Sequence, residues 1–228
     1  MGCRTIRLKD SDMVTRVVLA DDHKIVRDGL KSLLQQNADI EVVGVADNGR
    51  ELIDLVEKVK PDIVLMDISM PDMNGIDATR RIVNSHPEML VMVLSMHSDR
   101  RFVIEALNAG ARGYLLKDSA YEELLQGIQT VVDGEFFLSP KVAGRVIQDY
   151  IRRTPVPTDS AFSLLTTRER EVLQLIAEGK STKEIAFTFN VSIKTVETQR
   201  QQIMKKLKIF NVAELTKYAI REGLTSLD

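Results

Sequence analysis

The 228-residue sequence predicts an α/β domain built on a doubly wound parallel sheet, joined to a smaller all-helical domain. Three observations carry that prediction. Between Arg16 and Asp133 short apolar runs alternate strictly with segments of helical period, the pattern of repeated strand–helix–strand units. One of those runs, 63–66, passes unbroken into Asp67, as a buried parallel strand does when it delivers a carboxylate to its carboxyl edge. From Leu164 onward no strand-like run remains, and helix caps and helical spacing take over.

Composition narrows the class before any motif is considered. The formal net charge is −2, Trp is absent and aromatics are few, as in an ordinary globular chain. The longest strongly apolar run, 89–94, is far too short to span a bilayer and no signal segment opens the chain, so no membrane partner and a cytoplasmic location are expected. The single Cys3 excludes an intrachain disulfide and any multi-cysteine metal site. Ile6 stands where a myristoylation signal wants Ser or Thr. Met13 begins a stretch that reads as an ordinary amino terminus, so residues 1–13 are expected to form a disordered N-terminal extension. Charge is uneven: from Ser163 onward the net is +3, against −5 before it. An acidic first part joined to a basic second part fits a regulatory module attached to a nucleic-acid binder.

The strand runs are 17–20, 42–46, 63–66, 90–94 and 113–116. Between them apolar residues keep three-to-four spacing: Ile25, Leu30, Leu33 and Leu34 after the first, Leu52, Ile53, Val56 and Val59 after the second, and similar sets after the others. Five strands and five helices in alternation favour the flavodoxin-like order 2-1-3-4-5, whose ligand crevice lies where strands one and three diverge. Those strands end in the pair Asp21-Asp22 and in Asp67. Three carboxylates at one edge repel each other and need a cation, most naturally Mg2+, which prefers oxygen ligands. Strand four ends at Ser95, and Lys117 follows strand five at once. A hydroxyl and an ammonium beside a carboxylate–metal cluster suit a phosphoryl group.

Each residue alone has a plainer reading. Asp21 and Asp22 would cap the helix that follows, Lys117 would be a solvated strand-end lysine, Ser95 a turn residue and Tyr114 a half-buried strand aromatic. His23, His86 and His97 share no ligand spacing and read as surface or loop residues. Taken jointly, the strand ends favour a site. The pair at 21 and 22, L-M-D-I-S-M-P-x-M-x-G around Asp67, Ser95, and G-Y-L-L-K at 113–117 resemble the receiver domain of bacterial two-component response regulators. That resemblance implies a phosphoacceptor at Asp67, a metal held by Asp21, Asp22, Asp67 and the Ser69 backbone carbonyl, and a switch pair of Ser95 and Tyr114 beside the phosphoryl-pairing Lys117. Asp118 departs from the family, where many members carry proline.

The receiver is expected over 14–135, and a helix with a proline-containing linker over 136–162. Ser139-Pro140 opens that helix, with Val142, Val146, Ile147 and Ile151 on one face, and T-P-V-P-T-D-S follows as a semi-stiff linker. A DNA-binding domain of four helices is expected over 163–228. Thr167 is expected to cap the first of these, Ser181 or Thr182 to begin a short second, Ser192 to cap a third from 193 to about 207, and Asn211 to start a fourth. A short helix, a three-residue turn and a longer helix make a helix-turn-helix, whose second helix enters the major groove of double-stranded DNA.

On that third helix Val196, Ile203 and Leu207 follow the inward stripe, while Lys194, Glu197, Thr198, Gln201 and Lys205 fall on the outward one. A solvated face is the plain reading, but the stripe is poor in carboxylates. Glu197, Thr198 and Gln201 are suited to base edges, and Lys194, Thr195, Lys205 and Gln199 to phosphates. The segments L-T-x-R-E-x-E-V-L-x-L-I-A-E-G-K-S-x-K-E-I-A at 165–186, V-S-x-K-T-V-E-T at 191–198 and I-M-K-K-L at 203–207 are similar to LuxR-type effector domains. Gln199 stands where many members carry histidine.

Together the two halves resemble the NarL/FixJ subfamily of response regulators. The resemblance implies a sensor histidine kinase as phosphodonor, Mg2+ as cofactor, promoter DNA as target, and a homodimer on phosphorylation, with the recognition helix freed from the receiver. The chain would be a regulator rather than an enzyme beyond phosphoryl transfer onto itself. Three rivals are weaker. A haloacid dehalogenase-type hydrolase wants a second acid where Ser69 stands, a ligand-sensing LuxR-type receptor wants an apolar pocket in place of the acidic edge, and a constitutive dimerisation module has no use for the full acid set.

Overall fold

The computed structural model describes residues 14–151 and 160–225; the expected extension at 1–13 and most of the proline-containing linker lie outside the described residues. Strands and helices alternate as β1 (Thr15–Ala20), α1 (Lys24–Leu34), β2 (Ile40–Ala46), α2 (Gly49–Val59), β3 (Ile63–Asp67), α3 (Gly75–Ser85), β4 (Leu90–Ser95), α4 (Arg100–Asn108), β5 (Gly113–Leu116) and α5 (Tyr121–Val132). After them come β6 (Phe137–Leu138) and α6 (Pro140–Ile151), and then α7 (Ala161–Leu164), α8 (Thr167–Ala177), α9 (Thr182–Thr188), α10 (Ile193–Leu207) and α11 (Val212–Arg221).

The sheet is parallel throughout, in the order β2-β1-β3-β4-β5-β6. The expected flavodoxin-like order therefore stands with one strand more than expected. Phe137 and Leu138, assigned from sequence to the linker segment, pair with Gly113 and Tyr114. Two residues offer no periodicity to detect. They become a strand because the Phe137 amide donates to the Arg112 carbonyl at 2.9 Å and the Ser139 amide to the Tyr114 carbonyl at 3.0 Å.

Apolar residues on each face of the sheet form their own core. Val17, Leu19, Leu65, Met92 and Leu94 pack toward α1 and α5; Val18, Val64, Met66 and Val91 pack toward α2 and α3. A third core begins at α4 and β5 with Phe102, Val103 and Tyr114 and runs without interruption through Val142 of α6 into Val172, Leu173, Ile203 and Leu215 of the helical domain. The two domains thus share buried apolar surface.

Several local expectations change. The capping residue of α8 is Thr166 rather than Thr167, and it forms a reciprocal box with Glu169. The residue capping α1 is His23, with no side-chain cap, so Asp21 and Asp22 are not spent on capping. Ile25, Leu33 and Ile147, assigned to inward stripes, are exposed, while Ser192 and Asn211 cap α10 and α11 as expected.

Candidate functional site

Strand register brings the acids to one edge. Ala20 pairs with Met66, Asp67 with Leu94 and Ser95 with Leu116, so Asp21, Asp67, Ser95 and Lys117 stand side by side at the carboxyl ends of β1, β3, β4 and β5. Asp21, Asp67 and Ser95 are buried, and Asp22 is half-buried. The Lys117 ammonium lies 2.7 Å from Asp67 Oδ2 and 2.7 Å from Asp21 Oδ2. The Ile68 amide donates to the other Asp67 oxygen at 2.7 Å. Burial pushes the Asp67 carboxyl above its ordinary pKa, against the pull of Lys117. Burial would lower Lys117, but the Asp67 and Asp21 carboxylates hold its ammonium above the usual lysine value.

The donor set fits a divalent cation. Asp21 Oδ2 and Asp22 Oδ1 are sealed from solvent and accept no hydrogen bond of good geometry, although Lys117 and His23 each stand 2.7 Å away. Asp21, Asp22, His23 and Asp67 offer ligand atoms all within 4.8 Å of one another. His23, read from sequence as a surface residue, does have an exposed side chain, yet its Nδ1 reaches Asp22 and its amide donates to Asp21 Oδ1 at 2.9 Å. Hard carboxylate oxygens favour a cation such as Mg2+.

Ser69 sits half-buried in the loop between β3 and α3. The loop closes where the Gly75 amide donates to the Ile68 carbonyl at 2.8 Å. Only glycine fits there, because a Cβ at position 75 would lie 2.0 Å from the Asp67 carbonyl oxygen. Ser95 and Tyr114 meet at one residue: Ser95 Oγ accepts from the His97 amide at 3.0 Å, and the Tyr114 hydroxyl donates to the His97 carbonyl at 2.7 Å. Tyr114 is fully buried, which pushes its phenol well above the ordinary range.

On α10 the outward residues Lys194, Thr195, Glu197, Thr198, Gln201 and Lys205 are exposed, and Gln199 is half-buried on the edge. The Thr198 hydroxyl turns back to the Lys194 carbonyl at 2.9 Å. The receiver does not cover this stripe, contrary to the implied burial of the recognition helix.

What the receiver does hold is α8, a contact without any local signal in the sequence. Arg170 pairs through Nε with Asp77 Oδ2 at 3.0 Å and through Nη2 with Asp77 Oδ1, and both residues are buried. Gln174 donates to the Met70 carbonyl at 2.9 Å and accepts from the Asn74 amide at 3.1 Å. Glu178 accepts from the Asp72 amide at 3.2 Å, and Glu171 pairs with Arg81. At the far end Arg101 pairs with Glu222 at 2.9 Å, and Phe102 lies against Gly223, whose φ of +69° suits glycine.

Comparisons with known proteins agree with both halves. Residues 17–129 match the family described as response regulator receiver domain, and residues 163–219 match the bacterial regulatory proteins of the luxR family. The oxygen regulatory protein NreC of Staphylococcus carnosus (strain TM300) is 37% identical over 213 residues, covering 92% of this chain and 98% of the relative. The receiver domain of the response regulator NarL from Mycobacterium tuberculosis superposes with a TM-score of 0.52 at 32% identity, covering 54% of this chain and 99% of its own. RcsB from Salmonella enterica serovar Typhimurium, solved on promoter DNA with a phosphomimetic, gives a TM-score of 0.57 at 29% identity over 92% of this chain and 99% of its own.

Proposed function

The chain belongs to the DNA-binding two-component response regulators that carry a receiver followed by a LuxR-type helix-turn-helix domain, and from that premise we propose that Asp67 is its phosphoacceptor, with Mg2+ held by Asp21, Asp22, Asp67 and the Ser69 carbonyl. The observation that carries this reading is the Lys117 ammonium bridging two buried carboxylates, 2.7 Å from each, at the meeting of adjacent strand ends. When bound, the cation would neutralise charge on the phosphoryl oxygens. An Asp67 oxygen forms the new P–O bond while the P–N bond of a kinase phosphohistidine breaks, and the freed imidazole keeps the electron pair. Lys117 balances the added charge, roughly −2.

Ser95 and Tyr114, both anchored on His97, are the switch pair of this reading. Phosphorylation releases the helical domain from the receiver and favours a homodimer, which reads two half-sites of promoter DNA. Full switching needs the phosphoryl group to favour the active state by about 5.5 kcal/mol, within reach of a few charge-assisted hydrogen bonds. Glu197, Thr198 and Gln201 read base edges; Lys194, Thr195, Lys205 and the half-buried Gln199 contact the backbone. The receiver spans 14–135 together with the β6 strand that completes its sheet, and the DNA-binding domain spans 163–228. No helix among the described residues is long and apolar enough to cross a membrane, and we place the protein in the cytoplasm with its DNA target.

The test is intact mass, oligomeric state and DNA binding of the parent and Asp67→Asn, with Mg2+ and phosphoramidate. The parent should gain one phosphoryl group, dimerise and bind DNA more tightly, and the variant should do none of these. Full labelling of Asp67→Asn would move the phosphoacceptor elsewhere.

A further inference from the structure

We infer that the DNA-binding domain reads the state of Asp67 directly at the loop between β3 and α3, through Gln174 and Glu178 of α8, in addition to the route through Ser95 and Tyr114. The inference rests on the reading of Asp67 as the phosphoacceptor.

The loop is a short closed structure. Its neck is fixed by the Gly75 amide on the Ile68 carbonyl, and the Met70 and Met73 side chains are buried beneath it. Gln174 spans the mouth, with its amide nitrogen on the Met70 carbonyl and its amide oxygen taking the Asn74 amide. Glu178 fixes the orientation of that side chain, since its Oε1 accepts from Gln174 Nε2 at 2.9 Å and from the Asp72 amide at 3.2 Å. Asp72 is held at a φ of +62°, a left-handed conformation in which a non-glycine residue stays only when its surroundings favour it.

Three backbone groups of one loop are therefore satisfied by side chains of another domain. The Ser69 carbonyl is one peptide unit from the Met70 carbonyl, so a turn of the intervening backbone displaces the group that Gln174 holds. Gln174 is fully buried, and an amide left there without partners costs far more than an exposed one. The loop and α8 therefore cannot relax independently. The switch pair reaches the same domain by a separate path: the His97 ring stacks on Phe102 at 4.4 Å, and Phe102 lies against Gly223. Contacts of the first path involve the phosphoacceptor loop itself, and coupling through them is reciprocal.

The coupling is read as the ratio of DNA affinities with and without the phosphoryl group on Asp67. It is measured on the full chain with phosphoramidate and Mg2+, with labelling followed by intact mass. Gln174→Ala and Glu178→Ala should each lower that ratio by about fivefold or more, the lower end of typical allosteric coupling. Exchange of the Asp72 and Asn74 amides should also be faster in these variants before any phosphodonor is added. Arg81→Ala, which removes the pairing of Arg81 with Glu171 between α3 and α8 and touches neither path, should shift both affinities and leave their ratio near the parent's. A parent-like ratio in both Gln174→Ala and Glu178→Ala, or a fall no larger than in Arg81→Ala, would overturn the inference while leaving Asp67 as the phosphoacceptor. A parent that takes no label at Asp67 would instead remove the reading on which it rests.

Discussion

Helices α8 and α10 belong to one domain and both carry a polar stripe, yet the stripes meet opposite fates. Arg170, Glu171 and Gln174 of α8 are buried against the receiver, while Lys194, Glu197, Thr198, Gln201 and Lys205 of α10 stay in water. The difference shows how restraint is exerted. The receiver grips the helix that packs against α10 and leaves open the face we assign to DNA. On the proposed reading, phosphorylation changes where the domain sits and what it pairs with, since the face assigned to DNA needs no uncovering.

The largest expected effect lies at the buried end of this contrast. Arg170→Ala leaves Asp77 buried with Arg80 and Asn74 alone, and losing one partner of a buried pair typically costs about 3–5 kcal/mol. Thermal unfolding should report that loss, and Asp77→Ala added to Arg170→Ala should recover much of it. If the double variant recovers nothing, the pair is not what holds α8.

On α10 the effects are smaller and fall on binding. Glu197→Ala should cost about 1–3 kcal/mol of discrimination at one base pair. Lys205→Ala should weaken all sequences alike and flatten the salt dependence by about one unit of slope. Binding to an operator and to a scrambled duplex across a salt series separates the two, and identical sequence-blind losses would count against the assigned face.

A third prediction concerns pH. Because burial raises the Asp67 pKa in the folded chain, its ionised form costs stability once pH exceeds the unfolded value of 3.8. That cost is absent at lower pH, where both states are protonated, and is complete above the raised folded value. Without metal, Asp67→Asn should thus be at least as stable as the parent at neutral pH, with the gain shrinking on acidification. A clear loss at neutral pH would mean that the bond with Lys117 outweighs burial. The smallest effect belongs to Lys206, which pairs with Glu169 at 2.6 Å but is substantially exposed. Lys206→Ala should cost under about 1 kcal/mol, and less at high salt.

How far each feature was legible in the sequence follows from the same contrast. Asp21, Asp67, Ser95 and Lys117 could be read because strand ends are marked by a change from apolar run to turn, and a parallel sheet sends such ends to one edge. The cap of α10 at Ser192 carries its own local signal. The grip on α8 carries none: Glu171 looks like a first-turn acid, Gln174 like any helix-surface amide, and Asp77 like a helix-start carboxylate. Their burial is decided by a surface about a hundred residues away in the chain, and β6 likewise exists only through the strand it joins.

The most direct test of the account is amide exchange at Asp72 and Asn74, whose N–H groups are held across the seam by Glu178 and Gln174. With Mg2+ and phosphoramidate, both amides should exchange faster in the labelled parent and stay protected in Asp67→Asn. A parent labelled to completion in which both amides remain protected would contradict the claim that phosphorylation releases α8.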